Sequence, residues 1–147
     1  MKTAILGFIL VVISSFLHAI AQAPAADISR IKNKWLDIPY ANKSASEKLD
    51  IYLPDEGKGP FPVIISVHGG AFLGGDKADA QLNPMLQGLK LGYAVVSVNY
   101  RLSGEAIFPA NIMDVKAAVR WVKANARQYK LNPDKTCLLY TSDAADE

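Results

Sequence analysis

Two short runs of nearly continuous apolar residues constrain the fold more than any other feature of this sequence. They cover residues 63–67 (VIISV) and 93–98 (YAVVSV) and are rich in β-branched residues. A strand without a polar face is buried on both sides, as in a parallel sheet that helices cover. Between the runs, leucines recur at helical spacing, at Leu82, Leu86 and Leu89. This spacing predicts a short helix that Gly92 could cap, so residues 63–98 are expected to form a right-handed βαβ unit.

The segments before this unit have the two-residue period of half-buried strands. Apolar and polar residues alternate at 35–40 (WLDIPY) and more regularly at 48–54 (KLDIYLP). A polar turn at 41–47 separates the two segments, which predicts an antiparallel hairpin. A second turn, rich in glycine and proline, occupies residues 55–62 and leads into the first apolar run.

The segment after the second apolar run has a helical period. Pro109 suits the first turn of a helix, and apolar residues follow at helical spacing at Ile112, Val115, Val119, Val122 and Ala126. Asn132 and Pro133 are expected to stop this helix, and a further parallel strand should follow. The order β, β, β, α, β, α predicts an α/β domain with an antiparallel start.

The segment that leaves the first apolar run begins with a histidine and is rich in glycine: residues 68–77, HGGAFLGGDK. A loop at the carboxyl end of a buried parallel strand is where α/β proteins place ligand chemistry. Glycines let a ligand approach backbone N–H groups, and two adjacent N–H groups can stabilise the oxyanion formed in ester cleavage. His68 leads this loop instead of facing a nucleophile, so we expect it to brace the loop by hydrogen bonding.

Other interpretations of the same loop are a simple turn and a phosphate-binding loop. A Gly-Gly pair after a strand is often only a turn, but this one follows the third predicted strand and directly precedes the first helix. The phosphate-binding patterns G-x-G-x-x-G and G-x-x-x-x-G-K-[ST] are absent from the sequence.

Four stretches in this order resemble the esterase/lipase group of α/β-hydrolases: SVHGGAF, a following GG, AVVSVNYRL and FPANIMDVKAAVRWVKANA. The resemblance covers about Lys48 to Lys135 and is strongest to the hormone-sensitive-lipase-like and the bacterial feruloyl or acetyl-xylan esterase-like branches. It implies the N-terminal half of an α/β-hydrolase: an antiparallel hairpin leading into a parallel βαβαβ sheet with helices on both faces.

The resemblance also implies roles for individual residues. The oxyanion hole would use backbone N–H groups of Gly69, Gly70 or Ala71, with His68 supporting the loop. This loop has HGGAF where the best-known version has HGGG, so the donor pair stays open. Three further residues are expected to be structural, namely Asp114, Trp121 and Arg101. Asn99 and Arg101 could line the site, but we expect both to tie loops together.

The catalytic residues of such a hydrolase are missing from the sequence. The fold needs a serine on a G-x-S-x-G elbow, then an acid, then a histidine, and the sequence has no G-x-S-x-G. His18 lies within residues 1–21, which are interpreted below as a cleaved signal peptide, and His68 is already assigned to the loop. The chain is therefore expected to be an N-terminal fragment that lacks nucleophile, acid and base and is inactive alone. No cofactor is expected, and no metal site, since one cysteine and one histidine cannot build one.

The first residues are interpreted as a secretory signal peptide spanning residues 1–21. Met1 and Lys2 give a positive start, residues 4–17 are mostly apolar, and small residues follow, with cleavage after Ala21 or Ala23. An uncleaved membrane anchor is the alternative, but the apolar stretch is short for a span of about 20 residues. We therefore expect a secreted or periplasmic protein without a stable membrane span after cleavage.

The last eleven residues are interpreted as foreign to the gene. Residues 137–147, CLLYTSDAADE, are what a transposase-type sequencing adapter encodes when it is read through as protein. The expected organisation is then a signal peptide at 1–21, a linker at 22–34, a truncated α/β-hydrolase domain at 35–136 and this tail. A genuine short strand with an acidic end is the alternative, which the codons of the DNA would decide.

These observations favour a secreted carboxylic-ester hydrolase that acts by serine-dependent acyl transfer on a small-molecule or polysaccharide-linked ester. By resemblance, acetyl or feruloyl esters of plant polysaccharide are plausible substrates. The alternatives are an amide- or peptide-cleaving relative, a non-catalytic α/β-hydrolase-fold binding protein, and a stand-alone βαβ binding domain. A nucleic-acid partner is not expected, because the net charge is only +2 and no basic run of five residues exists.

Overall fold

The computed structural model describes residues 24–140. The expected signal peptide and the last seven residues of the expected adapter tail lie outside this range. The strands are β1 (Lys34–Pro39), β2 (Lys48–Tyr52), β3 (Phe61–Val67), β4 (Ala94–Val98) and β5 (Leu131–Tyr140). The helices are α1 (Asn83–Leu86), flanked by 3₁₀ turns at Ala80–Leu82 and Gln87–Leu91, and α2 (Ala110–Ala124).

The five strands within residues 24–140 form one mixed sheet in the order β1-β2-β4-β3-β5. β1 and β2 pair antiparallel, as do β2 and β4, whereas β3 pairs parallel with both β4 and β5. The expected antiparallel hairpin and βαβ unit are therefore confirmed. So is the α/β class, because helices connect the parallel strands on both faces of the sheet.

One face of the sheet packs against α2. Ile65 of β3 and Val96 of β4 are register partners, and neither has any exposed surface. Ala118 and Val122 of α2 cover this face and belong to the same buried cluster. Burying a side chain of this size stabilises a fold by roughly 1.5–3 kcal/mol, so this contact fixes α2 and the loop that precedes it.

The opposite face packs against the short helical segment between β3 and β4. Leu82 and Leu86 cover Tyr52 and Val95 there. Residues of the expected linker add to the same cluster, namely Ala26, Ile28 and Ile31. Because both faces are covered, β2 is buried along almost its whole length, which explains why its polar residues are buried as well.

Two details of α2 differ from the expectation. The helix ends at Ala124 and not at Asn132-Pro133, which lie inside β5. Asn125 ends it by donating from its side chain to the Trp121 carbonyl oxygen over 2.8 Å. Three buried positions also lie one residue before the expected ones, at Asn111, Asp114 and Ala118, whereas Val122 is buried as expected. The apolar spacing continues past the end of the helix because Ala126, which lies in the following turn, is also buried.

β5 extends along the whole of β3, with Ile65 opposite Leu138 and Val67 opposite Tyr140. The parallel strand expected after α2 is thus confirmed. Its outer side remains open among the described residues, and Leu138, Leu139 and Tyr140 are each more than a third exposed. Within residues 24–140, no helix is both long enough and apolar enough to cross a membrane.

Candidate functional site

The glycine loop, residues 68–77, leaves the carboxyl end of β3, the end at which α/β folds bind ligands. Its first residue, His68, is almost fully buried. The imidazole stacks on the Tyr100 ring with 4.6 Å between centroids, and its Nδ1 lies 2.9 Å from the Gly69 carbonyl oxygen. Tyr100 donates from its hydroxyl to the His68 carbonyl oxygen over 3.1 Å. These contacts hold His68, at the start of the loop, against Tyr100 and the Gly69 carbonyl oxygen.

Two glycines of this loop are required by its geometry. Gly70 has φ +120°, and a Cβ there would lie 2.3 Å from the Gly74 carbonyl oxygen. Gly75 has φ +101°, and a Cβ there would lie 2.3 Å from His68 Nδ1. Both values are in the region that side chains rarely adopt, and both contacts are too short for carbon. The loop can therefore fold back on itself only with glycine at these positions.

The three candidate donor amides have different partners. The Gly69 N–H donates to the Gln81 side-chain Oε1 over 3.0 Å. By contrast, no acceptor among residues 24–140 receives a hydrogen bond from the Gly70 or Ala71 N–H. Ala71 has φ +52°, a left-handed conformation that costs a non-glycine residue energy and often occurs at functional sites. Among the described residues, the adjacent N–H groups of Gly70 and Ala71 therefore make no hydrogen bond, whereas that of Gly69 does.

Asn99 holds the far end of the loop. Its side-chain oxygen accepts from the Lys77 N–H over 2.6 Å, and its side-chain nitrogen donates to the Asp76 carboxylate over 2.8 Å. Burial alone would raise the pKa of Asp76. The hydrogen bonds from Asn99 and the Ala78 N–H, with the nearby Lys77 charge, outweigh burial and lower that pKa. Asn99 therefore ties two loops together, as expected.

A buried ion pair that the sequence did not reveal lies beneath this end of the loop. The Lys77 ammonium is 2.9 Å from the Asp50 carboxylate and 3.1 Å from that of Asp37. Tyr52 also donates to Asp50, over 3.1 Å. Burial would lower the pKa of Lys77, but the hydrogen bonds and charges of the two carboxylates raise it. Lys77 thus stays charged and anchors the loop to β2.

Arg101 and Asp114 form a second ion pair, between the loop after β4 and helix α2. Two guanidinium nitrogens donate to the Asp114 carboxylate over 2.8 and 2.7 Å, and the Arg101 N–H donates over 3.1 Å. Burial would raise the pKa of Asp114, but these hydrogen bonds lower it. Trp121, two turns along α2, packs against Tyr129 with 5.7 Å between ring centroids.

No complete catalytic triad is present in the described part of the chain. Its single histidine, His68, is buried in the loop contacts described above. Nor do residues 24–140 bring together three or more His, Cys, Asp or Glu side chains that could hold a metal ion. The N–H groups of Gly70 and Ala71 remain available as hydrogen-bond donors, and two such donors can stabilise a negatively charged oxygen atom.

A protein-family comparison matches this architecture. The family model described as BD-FAE aligns with residues 49–145, which is more than half of the chain. The chain belongs to the BD-FAE family. Together with the relatives of this BD-FAE chain described next, this match confirms the resemblance to α/β-hydrolase esterases.

Two curated relatives come from Mycobacterium tuberculosis. The probable carboxylic ester hydrolase LipM is 39% identical over 101 residues, covering 67% of this chain and 23% of LipM. Esterase LipQ is 39% identical over 100 residues, covering 67% of this chain and 24% of LipQ. The BD-FAE chain thus spans about a quarter of the length of these relatives.

Among solved structures, a truncated form of a carbohydrate esterase from gut microbiota superposes with a TM-score of 0.70. It is 36% identical in sequence, and the match covers 80% of this chain and 42% of that one. The fold expected from the sequence, part of an α/β-hydrolase, is therefore confirmed.

Gln81 is the site residue that sequence reasoning missed. Its side chain reaches back 12 positions to Gly69, and neither residue carries a local signal for that contact. The loop itself was recognisable, because the glycines and the histidine directly follow a buried strand.

Proposed function

We propose that this chain supplies the oxyanion-binding part of a serine carboxylic-ester hydrolase. The observation that carries the proposal is the pair of adjacent N–H groups at Gly70 and Ala71. They lack an acceptor among residues 24–140 and follow the carboxyl end of β3. Gly69 was an equal candidate from the sequence, but its N–H already donates to Gln81. The proposed donors are therefore Gly70 and Ala71.

The chemistry of this pair is charge stabilisation. A serine hydroxyl would give its proton to a general base as its oxygen attacks the ester carbonyl carbon, and the carbonyl electron pair would move onto oxygen, where the two N–H groups would hold it. When this electron pair re-forms the carbonyl, the alcohol leaves with the proton from the base and an acyl-enzyme remains. Water then attacks the acyl carbon, its proton passes through the base to the departing serine oxygen, and the acid is released. Donors fixed before the reaction need no reorganisation, and losing one typically costs ~10²–10³ in rate. Bracing by His68 and Tyr100 would provide this rigidity.

The nucleophile, acid and base are proposed to lie in a longer product of the complete gene, called the full-length protein below. Two facts support this: the sequence has no G-x-S-x-G elbow, and the chain spans about a quarter of its curated relatives. The 147-residue chain is accordingly expected to be inactive alone. Residues 137–147 are also proposed to be adapter sequence, because a transposase-type sequencing adapter read as protein encodes these residues, and the codons of the DNA can test this.

The proposed substrates are esters of small molecules or polysaccharides. One structure similar to this chain is a carbohydrate esterase, which favours acyl groups carried on sugar. Export is proposed on the layout of residues 1–21 alone, with cleavage after Ala21 or Ala23. N-terminal sequencing of the protein recovered outside the cytoplasm would locate the cut, and an intact Met1 there would contradict the proposed cleavage.

The experiment that tests this function compares the full-length protein with the 147-residue chain on p-nitrophenyl acetate. We expect turnover by the full-length protein, abolished by a serine-directed phosphonate, and none by the short chain. A p-nitroanilide of the same acyl group serves as the amide control and is expected to react far more slowly. An inactive full-length protein would favour a binding role, and faster amide cleavage would favour a peptidase.

A further inference from the structure

The Gln81 side chain fixes the first amide of the glycine loop. Its Oε1 accepts the Gly69 N–H over 3.0 Å, although the two residues are 12 positions apart. Gln81 lies in the 3₁₀ turn Ala80–Leu82, which follows the glycine loop in the sequence. The contact therefore links the beginning of the loop to the helical segment that follows its end.

Asp79 holds the Gln81 amide in the required orientation. One carboxylate oxygen accepts the Gln81 backbone N–H over 3.0 Å, and the other accepts from the side-chain nitrogen over 3.4 Å. The second oxygen also accepts the Asp76 N–H over 3.2 Å. Asp79 itself is almost fully buried. Because the Gln81 nitrogen faces Asp79, its oxygen is the atom left to face Gly69.

This contact bears on the two amides that follow. The peptide planes of Gly69, Gly70 and Ala71 are joined in sequence, so rotation at the first changes the direction of the next. Glycine at positions 69 and 70 permits such rotation, because glycine has access to both signs of φ. The hydrogen bond from the Gly69 N–H to Gln81 restricts rotation of that peptide and keeps this N–H from acting as an oxyanion donor itself.

We propose that Gln81 is a positioning residue for the oxyanion donors, selecting Gly70 and Ala71 by holding Gly69. This inference rests on the proposed function. Gln81 touches no reacting atom and acts only through the loop. Its side chain is exposed to solvent, so its loss removes little packing. A residue of this kind affects the stability of the transition state more than that of the fold.

The test uses the full-length protein with Gln81→Leu, which keeps the size of the side chain but removes the acceptor. We expect kcat for p-nitrophenyl acetate to fall about tenfold, less than the ~10²–10³-fold loss of a whole donor. KM is expected to stay within about twofold, since ground-state binding does not use the oxyanion donors. The midpoint of thermal unfolding should stay close to that of the wild type.

One further variant separates positioning from a general effect on this helical segment. Gln87→Leu makes the same change at an exposed position of the next 3₁₀ turn and should leave kcat unchanged. Unchanged kcat in Gln81→Leu, or an equal loss of kcat in Gln87→Leu, would overturn the inference. An inactive wild-type protein would instead overturn the proposed function, and this inference with it.

Discussion

The imidazole of His68 lies flat on the ring of Tyr100, with centroids 4.6 Å apart and planes inclined by only 12°. Tyr100 returns a hydrogen bond to the His68 carbonyl oxygen. The first residue of the glycine loop is thus held at both its side chain and its backbone by the residue that follows β4 by two positions. In this geometry the His68 imidazole contacts Tyr100 and the Gly69 carbonyl oxygen, which favours the proposed role of His68 as a support of the loop.

Tyr100→Phe should separate the stacking from the hydrogen bond. The phenyl ring can still stack on His68, but the buried His68 carbonyl oxygen loses the Tyr100 donor. We expect a loss of about 1 kcal/mol in the free energy of unfolding, measured by urea denaturation of the full-length protein, and a several-fold fall in kcat. Tyr93→Phe, at an exposed tyrosine, is the control. Equal effects of the two substitutions would show that the Tyr100 hydroxyl does not matter.

Gly75→Ala should disrupt the glycine loop. The new Cβ would lie 2.3 Å from His68 Nδ1, and φ of +101° is unfavourable for alanine. We expect a destabilisation of about 1–3 kcal/mol and a kcat at least tenfold lower. Gly74→Ala is the matched control, because a Cβ there meets nothing within 4 Å. If the Gly74 and Gly75 variants have the same activity, the loop geometry described above is wrong.

Lys77→Met should leave the buried Asp50 carboxylate without its cation. Removing one partner of a buried ion pair typically costs about 3–5 kcal/mol, whereas replacing both partners by apolar residues can be nearly neutral. We therefore expect Lys77→Met to unfold at much lower urea concentration, and the double variant Lys77→Met/Asp50→Leu to recover part of the loss. Additive losses in this double-mutant cycle would contradict direct coupling of the two side chains.

Asp114→Asn should change how stability depends on pH. The pKa of Asp114 is lowered in the folded protein, so its contribution is fully present above the unfolded value near 3.9. That contribution is lost as pH falls below this value, through the lowered folded pKa. We expect the variant to be less stable by about 1–3 kcal/mol at pH 7, less than for a fully buried pair because Arg101 keeps contact with water.

The measurement is the difference in unfolding free energy between Asp114→Asn and the wild type, from pH 7 down to pH 3. The difference should shrink at the acid end, because the wild-type carboxyl becomes protonated there. Asp55→Asn, at an exposed aspartate, should show no such trend. A difference that stays constant with pH would mean that the ionised carboxylate of Asp114 does not supply the stability.

Most of the fold followed from local patterns. The runs at 63–67 and 93–98 have no polar face, and such strands need helices on both sides, which is the observed arrangement. The end of α2 did not follow, because Ala126 and Tyr129 continue the apolar signal from a turn. The spacing of apolar residues shows which residues are buried, and a turn that packs against the core continues that spacing beyond the end of the helix.

Two polar contacts of the site did not follow from the sequence. Lys77 is a residue type that normally lies in water, and nothing local shows that Asp50, 27 positions earlier, neutralises it. The same is true of the contact between Gln81 and Gly69. The position of the loop was predictable, since it depends on the end of one strand, but the choice between the proposed donor amides depends on contacts between distant residues.

The most direct test of the oxyanion proposal is a crystal structure of the full-length protein inhibited by a p-nitrophenyl phosphonate. The serine oxygen bonds to phosphorus as p-nitrophenolate leaves, and the phosphonyl oxygen on that phosphorus then stands in for the carbonyl oxygen of the tetrahedral intermediate. We predict that this oxygen lies within about 2.7–3.1 Å of both the Gly70 and Ala71 nitrogens, with Gly69 still bonded to Gln81. A phosphonyl oxygen held by other groups, with neither nitrogen in contact with it, would contradict the proposal.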